Sequence, residues 1–448
     1  MRHLDEGSIP KTILYMSLPM LVGRVFQNIY NITDIFFVGK LGPTAIAAVS
    51  MSGIIIGFLM TLMIGISMGS FSVISRKFGE RKINDVKISV VQSLYLSVAA
   101  YILSLTLIPF LGKIFTMLGA ESDVVALSVR FMRIILLGSI FMFVSMMLNS
   151  TLRATGDPKT PTRILIISTI LNVILDPILI YGLLGFPKLG VDGAAIATVV
   201  SRFVASMMVI KVYFFDEHAL SLKLADLKPD IDMMKKIIGV GIFVSASMLL
   251  RNISSMILMR IVSVFGTVAI AAYGVGMRIS SLLVFPSFGI GRATASIVGQ
   301  SFGSKKMKRA LKAVYESIKI FSVPFIAISL LAVAFSRSIM GFFTKDPEVI
   351  SIGATFLNYT FPFIIFTVIS VIASSSMNSI GKPVKPTIIT FIALILIQIP
   401  LALILRNYFS IIGVWMAIDV SVVFQGIFNF AVFVKTMKSY LASGTSRD

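Results

Sequence analysis

Arg24, Gln27, Asn31 and Asp34 recur at spacings of three and four residues inside an otherwise apolar stretch, so a helix there carries a polar stripe about 15 Å long on one face. An ionisable side chain in apolar surroundings costs a few kcal/mol, so each one needs a partner or a task. Asp34 is the first candidate for holding a proton or a cation. Tyr30, Gln27, Asn31 and Arg24 are candidates for lining the polar cavity that such a face requires. Pro19, earlier in the same stretch, lacks an amide hydrogen and frees the carbonyl of Tyr15, which favours a bend and makes it a candidate hinge. The bland alternative is an ordinary kinked helix in which Arg24 or another buried cation neutralises Asp34.

Asp176 is the second carboxylate. Ser168, Asn172 and Asp176 stand four apart, and Pro177 releases the carbonyl of Val173, so a carboxylate, an amide and a bare carbonyl crowd together at a second candidate hinge. These are hard oxygen donors. They suit sodium or a proton, with Asp34, Asn172 and Asp176 as possible sodium ligands, whereas zinc or iron favour nitrogen and sulfur. Two carboxylates sharing a low-dielectric pocket are costly to ionise together, so a proton or cation has to accompany them. The competing reading is a helix bend with Asp176 hydrogen-bonded to its neighbours.

The elements that position these groups follow from composition. The 448 residues are 56% hydrophobic and 13% charged, which excludes an ordinary soluble domain. Apolar runs of about 20 residues recur from Ile13 to Val434 without the alternation of barrel strands. They predict twelve transmembrane helices near 10–38, 43–75, 85–110, 123–150, 160–184, 190–214, 233–262, 267–299, 308–335, 347–376, 384–405 and 410–434: an all-α integral membrane fold. The net charge of +20 sits mainly in the loops after the even-numbered helices, among them Arg76, Lys77, Arg81, Lys82, Arg153, Lys159, Lys305, Lys306, Lys308 and Arg309. By the positive-inside rule those loops and both termini are cytoplasmic in a multi-pass protein of the plasma membrane. The charge is thus explained by topology, and no nucleic-acid partner is expected. With no cysteine and only His3 and His218, disulfides and thiolate or multi-histidine metal sites are excluded. The N-terminal apolar run shows no small-residue cleavage site, so no removable signal peptide is expected.

Sliding the chain by 224 or 225 positions aligns its halves. Gly42-x-x-Ala45-Ile46-Ala47-Ala48 matches Gly266-x-x-Ala269-Ile270-Ala271-Ala272, Phe78-Gly79 and Lys82 match Phe302-Gly303 and Lys306, and Gly156, Pro158 and Pro161 match Gly381, Pro383 and Pro386. Six helices per repeat give two lobes of the same orientation, 1–215 and 233–448, joined by a polar cytoplasmic linker 216–232 that includes Asp216, Glu217 and Lys223. Asp34 and Asp176 have no counterpart in the second half, which assigns cation coupling to the first. Asp419 is read as structurally paired with Arg251, Arg260 or Arg278, and the stripe Met142, Met146, Met147 as packing.

The string from Asn28 through Tyr30, Asn31, Asp34, Gly39 and Lys40 to Gly42 resembles the signature of the multidrug and toxic compound extrusion (MATE) transporters. Arg153-Ala154-Thr155-Gly156-Asp157-Pro158-Lys159-Thr160-Pro161, Asn172 to Asp176-Pro177 and the duplicated halves support it over essentially the whole chain. The resemblance, nearest to the DinF-like and archaeal branch, implies a V-shaped pair of lobes. It implies export of drugs or other amphipathic or cationic compounds against protons or sodium, by rocker-switch alternating access, without a cofactor. Carried over by motif, the coupling residues are Asp34, Asp176, Asn172 and, on helix six, Thr198. Where many relatives have a helix-four tyrosine, this chain has Phe131. A lipid or lipid-linked precursor flippase of the same superfamily is the functional rival. A channel or an intramembrane enzyme is disfavoured, since no catalytic constellation or nucleotide-binding loop occurs. Membrane lipid and small-molecule substrate are the expected partners of a monomer.

Overall fold

The computed structural model describes residues 2–215, 220–222 and 226–443; Asp216, Glu217 and Lys223 of the expected linker lie outside the described residues. Among the described residues the chain is helical, with no strand. The first six spans are α1 (Ile9–Gly39), α2 (Pro43–Gly79), α3 (Ile83–Leu105), α4 (Ser122–Ala154), α5 (Lys159–Tyr181) and α6 (Val191–Phe214). They are followed by α7 (Ile231–Val262), α8 (Thr267–Gly303), α9 (Met307–Ala334) and α10 (Pro347–Ser379). The last apolar stretch, Val384–Ala442, is two spans that meet where Ser410 leaves helical geometry at φ 56° and ψ −140°, α11 (384–409) and α12 (411–442). Among the described residues twelve membrane-spanning helices result, as hydropathy predicts. Several helices run past their predicted ends: α2 reaches Gly79 rather than 75, α4 Ala154 rather than 150, α8 Gly303 rather than 299, and α12 Ala442 rather than 434. Hydropathy marks where apolar solvent stops, whereas a helix carrying Arg76 and Lys77 in its last turn is favoured to continue into water.

The repeat is a repeat of backbone geometry. Gly42 and Gly266 precede α2 and α8 at φ 109° and 91°, and Gly156 and Gly381 follow α4 and α10 at φ 83° and 78°. Side chains rarely tolerate these conformations, which accounts for glycine at both copies. The short helices Leu111–Met117 and Ser336–Phe343 also begin 225 residues apart.

By packing, the chain forms two compact units, one of Met1–His3 with Leu18–Ile242 and the other of Leu4–Ser17 with Phe243–Asp448. The divisions fall inside helices, after Ser17 in α1 and after Ile242 in α7, again 225 residues apart. Each half therefore contributes the start of its first helix to the other half's unit. In the second unit the backbone N–H of Leu4 donates to Gln300 at 2.8 Å, Lys306 pairs with Asp5 at 3.1 Å, and Arg309 donates to the carbonyls of Leu4, Glu6 and Gly7. In the first unit the start of α7 lies against Gly65 and Gly69 of α2, a small-residue pair four apart that lets two backbones meet in a membrane. A Cβ on Gly69 would stand 2.0 Å from the carbonyl oxygen of Ile237, and one on Gly241 would stand 2.9 Å from that of Gly65.

Gly69→Ala should therefore lower stability by about 1–3 kcal/mol, the usual penalty of overpacking. Gly53→Ala, with open space around its Cβ, should leave it unchanged. Unfolding midpoints of the two variants in detergent check this, and equal midpoints would remove the close approach of α2 and α7 as a determinant of the first unit.

Candidate functional site

Three helices of the first unit converge on the predicted carboxylates. α5 supplies Asn172 and Asp176, both fully buried, with the Asn172 amide donating to Asp176 Oδ1 at 3.2 Å. α1 supplies Asp34, within interaction range of Asp176 and Asn172, and Tyr30, which is buried. α6 supplies Thr198, whose hydroxyl approaches that of Tyr30. It also supplies Arg202, whose guanidinium lies 4.5 Å above the Tyr30 ring and acts electrostatically on Asp34.

Local packing explains the convergence. Thr162 Oγ1 of α5 donates to the carbonyl of Pro19 at 3.0 Å, and Tyr181 Oη at the other end of α5 donates to the carbonyl of Phe37 at 2.7 Å. α1 is thus held to α5 on both sides of the carboxylate pair. α6 is fastened to α5 by Ser168 Oγ donating to the Ser201 carbonyl at 3.0 Å, and by Gly193, whose absent Cβ leaves room 2.4 Å from the Leu179 carbonyl oxygen. Ser201 and Arg202 are consecutive, so the α5–α6 seam sets the height of the guanidinium.

The polar stripe of α1 divides in two. Tyr30 and Asp34, one turn apart, face the buried cluster, whereas Gln27 and Asn31 sit on the accessible side and hydrogen-bond to each other at 3.3 Å. Tyr30 thus sits with the carboxylate cluster, apart from Gln27 and Asn31. Arg24 does not neutralise Asp34. It lies near Arg153 instead, and Arg202 is the cation that Asp34 meets. Arg202 is missing from the sequence reading. It stands four residues after Thr198, and an arginine within an apolar span is itself a signal that could have found it. Pro177 lies within a continuous α5, and Pro19 within α1 one residue past the division between units.

Asp34 Oδ1, Asn172 Oδ1, Asp176 Oδ2, the Tyr30 hydroxyl and Arg202 Nε are all buried without a properly formed hydrogen bond. Two carboxylates can bond to each other only by sharing a proton. Against their two negative charges stands one guanidinium, so the cluster lacks one positive charge. One proton, or one sodium ion taken up by the free oxygens of Asp34, Asn172 and Asp176, completes it. The donor set fits a hard monovalent cation, and among the described residues no group of three or more His, Cys, Asp or Glu side chains could hold another metal.

Two other readings are settled by contacts. Phe131 is buried in an apolar cluster with Val38, Ile135 and Ile180 and gives the site no hydroxyl, and Met147 is fully buried with Met142 and Met146 packed around it. Asp419 is a correction. It is buried but forms no ion pair with Arg251, Arg260 or Arg278 among the described residues. Arg251 reaches α12 at Gln425, six positions beyond Asp419, and donates to its side-chain oxygen at 3.1 Å.

A duplicated bundle of twelve membrane-spanning helices with a buried carboxylate cluster in one unit is the architecture of a membrane transporter. The MatE family model matches residues 19–178 and again 244–404, once in each half, and the chain belongs to that family. It is 30% identical over 424 residues to the "Probable multidrug resistance protein YoeA" of Bacillus subtilis (strain 168), covering 92% of this chain and 90% of that one. It is 24% identical over 438 residues to the "Probable multidrug resistance protein NorM" of Thermotoga maritima, covering 96% and 94%. The solved structure of a MOP superfamily transporter from Pyrococcus furiosus superposes with a TM-score of 0.91 at 26% identity over 98% of each chain.

The charge count yields a prediction. Arg202→Gln leaves two carboxylates without a counter-cation, an electrostatic change of a few kcal/mol at separations of a few Å. The variant should bind a monovalent cation at least about tenfold more tightly and turn over more slowly. Sodium titrations at several pH values, followed by thermal stability in detergent, read the affinity. Unchanged cation dependence would remove Arg202 from the site.

Proposed function

We propose that the chain is a cation-coupled antiporter that exports drugs or other amphipathic or cationic organic compounds from the cell. The observation that carries this reading is the buried cluster of Asp34, Asn172 and Asp176, one positive charge short of neutrality beside Arg202. The names of YoeA and NorM, both multidrug resistance proteins, support the substrate class.

The coupling ion, a proton or sodium, enters at Asp34 and Asp176, with Asn172 as amide ligand and Thr198 orienting Tyr30. Charge neutralisation stabilises one packing of α1 against α5. Departure of the ion restores the uncompensated charge and favours another packing, with Pro19 and Pro177 as the points where helices lack a backbone hydrogen bond and bend most cheaply. Gln27 and Asn31 meet substrate on the accessible side of α1. The lobes 1–215 and 233–448, joined by 216–232, rock to give alternating access. The protein resides in the plasma membrane with both termini cytoplasmic, on the strength of its basic even-numbered loops, and works as a monomer.

The test is dye efflux from proteoliposomes under imposed proton or sodium gradients, comparing the unmodified protein with Asp34→Asn. Efflux driven by one gradient and reduced at least about tenfold in the variant is expected, since an amide binds neither ion with comparable strength. Efflux unaffected by the substitution would sink the coupling mechanism. Absence of efflux under either gradient, together with movement of a labelled lipid between leaflets, would shift the assignment to lipid flipping.

A further inference from the structure

A cavity of about 360 Å³ opens in the second unit between the end of α7 and the end of α11, lined by Ile257, Arg260, Ile261, Val264, Leu403 and Arg406, with Ser263. Its lining has two guanidiniums and no acidic side chain. Neither arginine forms an ion pair among the described residues. Ser263 offers no compensation, because its hydroxyl donates to the carbonyl of Arg260 at 2.8 Å. The two helix ends contribute partial negative charge, about half a unit each, which eases the seating of the arginines but falls short of neutralising both.

The duplicated half supplies an internal reference. In the repeat register Ile257, Arg260 and Ile261 correspond to Thr33, Phe36 and Phe37, and the end of α11 corresponds to the end of α5. There the same junction is closed: the rings of Phe37 and Tyr181 meet edge to face at 6.2 Å, and Tyr181 donates to the Phe37 carbonyl. The second half thus replaces an aromatic plug by two cations around a void. Its backbone is held no less firmly. Gly413, just past the break at Ser410, packs so tightly that a Cβ would stand 2.3 Å from the carbonyl oxygen of Leu405, the residue before Arg406. Ile257, Ile261, Leu401 and Ile411 pack on the buried cluster around Tyr273, Phe356 and Trp415.

The location is also unusual for charge. Both arginines lie at the cation-poor ends of the helices, where the positive-inside pattern leaves few basic residues. Val264 and Leu403 remain 67% and 40% exposed at the cavity's edge and form an apolar rim beside the guanidiniums. Paired guanidiniums match phosphate oxygens in geometry and charge. A cavity of this size is at the lower end for small-molecule sites and holds a headgroup, not a whole lipid.

We propose that Arg260 and Arg406 bind the phosphate of an anionic phospholipid whose apolar body runs out along Val264 and Leu403. The site is separate from the carboxylate cluster and exists only in the second unit. With the termini cytoplasmic, it faces the outer leaflet.

Native mass spectrometry of the detergent-purified protein, titrated with dioleoyl phosphatidylglycerol or dioleoyl phosphatidylcholine, tests this. One phosphatidylglycerol should be retained in preference to phosphatidylcholine. The double change Arg260→Gln and Arg406→Gln should weaken that retention by ~30-fold, the factor expected from removing two cations at a lipid surface. Leu403→Trp, which fills the cavity without altering charge, should weaken it as well, and Arg337→Gln, outside the cavity, should not. Millimolar inorganic phosphate should fail to displace the lipid. Equal retention of the two lipids, or retention of phosphatidylglycerol undiminished in the double variant, would overturn the proposal. Displacement by inorganic phosphate with indifference to Leu403→Trp would identify a soluble-anion site and overturn it in its lipid form. Should the double variant fail to fold, the two-lipid comparison and Leu403→Trp decide.

Discussion

The burial of a charged cluster within membrane-spanning helices is the constraint on which the structure turns. In a bilayer an ion has to be neutralised by something the protein holds or by something it admits. Asp34, Asp176 and Arg202 sum to one negative charge, and one oxygen each of Asp34, Asn172 and Asp176 is buried without a properly formed hydrogen bond among the described residues. A fully paired cluster would be inert. One that lacks a single charge can accept a single monovalent ion, which is what the proposed coupling rests on. The packing of α1, α5 and α6 can be read as the means of keeping that deficit in place: hydrogen bonds at Pro19 and Phe37 hold α1 to α5, and the Ser168–Ser201 bond with Gly193 holds α6.

Gene duplication supplied the frame for this arrangement, and the frame is conserved more closely than its contents. Left-handed glycines recur at Gly42 and Gly266 and at Gly156 and Gly381, because a turn cannot keep its shape with another residue there. The interior has diverged. Leu258, the counterpart of Asp34, is buried in an aromatic and aliphatic cluster with Tyr273, Phe356 and Trp415. Where the first half stores charge, the second packs rings. Its buried polar contacts are neutral or singly charged, such as Ser254 to Gln398, Asn429 to Ser370 and Arg251 to Gln425.

The sequence was most informative where physics acts locally. Twelve spans, the repeat and both carboxylates are legible because hydropathy, turn glycines and misplaced charges are properties of short segments. Partnership was legible only in part. Asn172 and Asp176 sit one turn apart and their bond could be anticipated, but the cation opposite Asp34 comes from α6, and its approach depends on how three helices cross. Arg24, closer in sequence, was the natural guess and lies elsewhere. Asp419 fails for the same reason: the chain offers three arginines, and only the packing of α7 on α12 decides that Arg251 meets Gln425. The break at Ser410 was legible as a boundary between spans but not as a strained residue, since nothing in serine announces a left-handed φ.

The division of the chain into packing units adds a last step. Of the three helices that build the cluster, α5 and α6 lie wholly within the first unit, whereas α1 begins in the second and crosses after Ser17, two residues before Pro19. Its first residues are fastened there by Gln300, Lys306 and Arg309. An ion that changes how Asp34 sits against Asp176 therefore acts on the one element of the site that is covalently continuous with both units, close to the point where a proline has removed a backbone hydrogen bond. A cluster placed on α5 and α6 alone would have no such connection to the second unit.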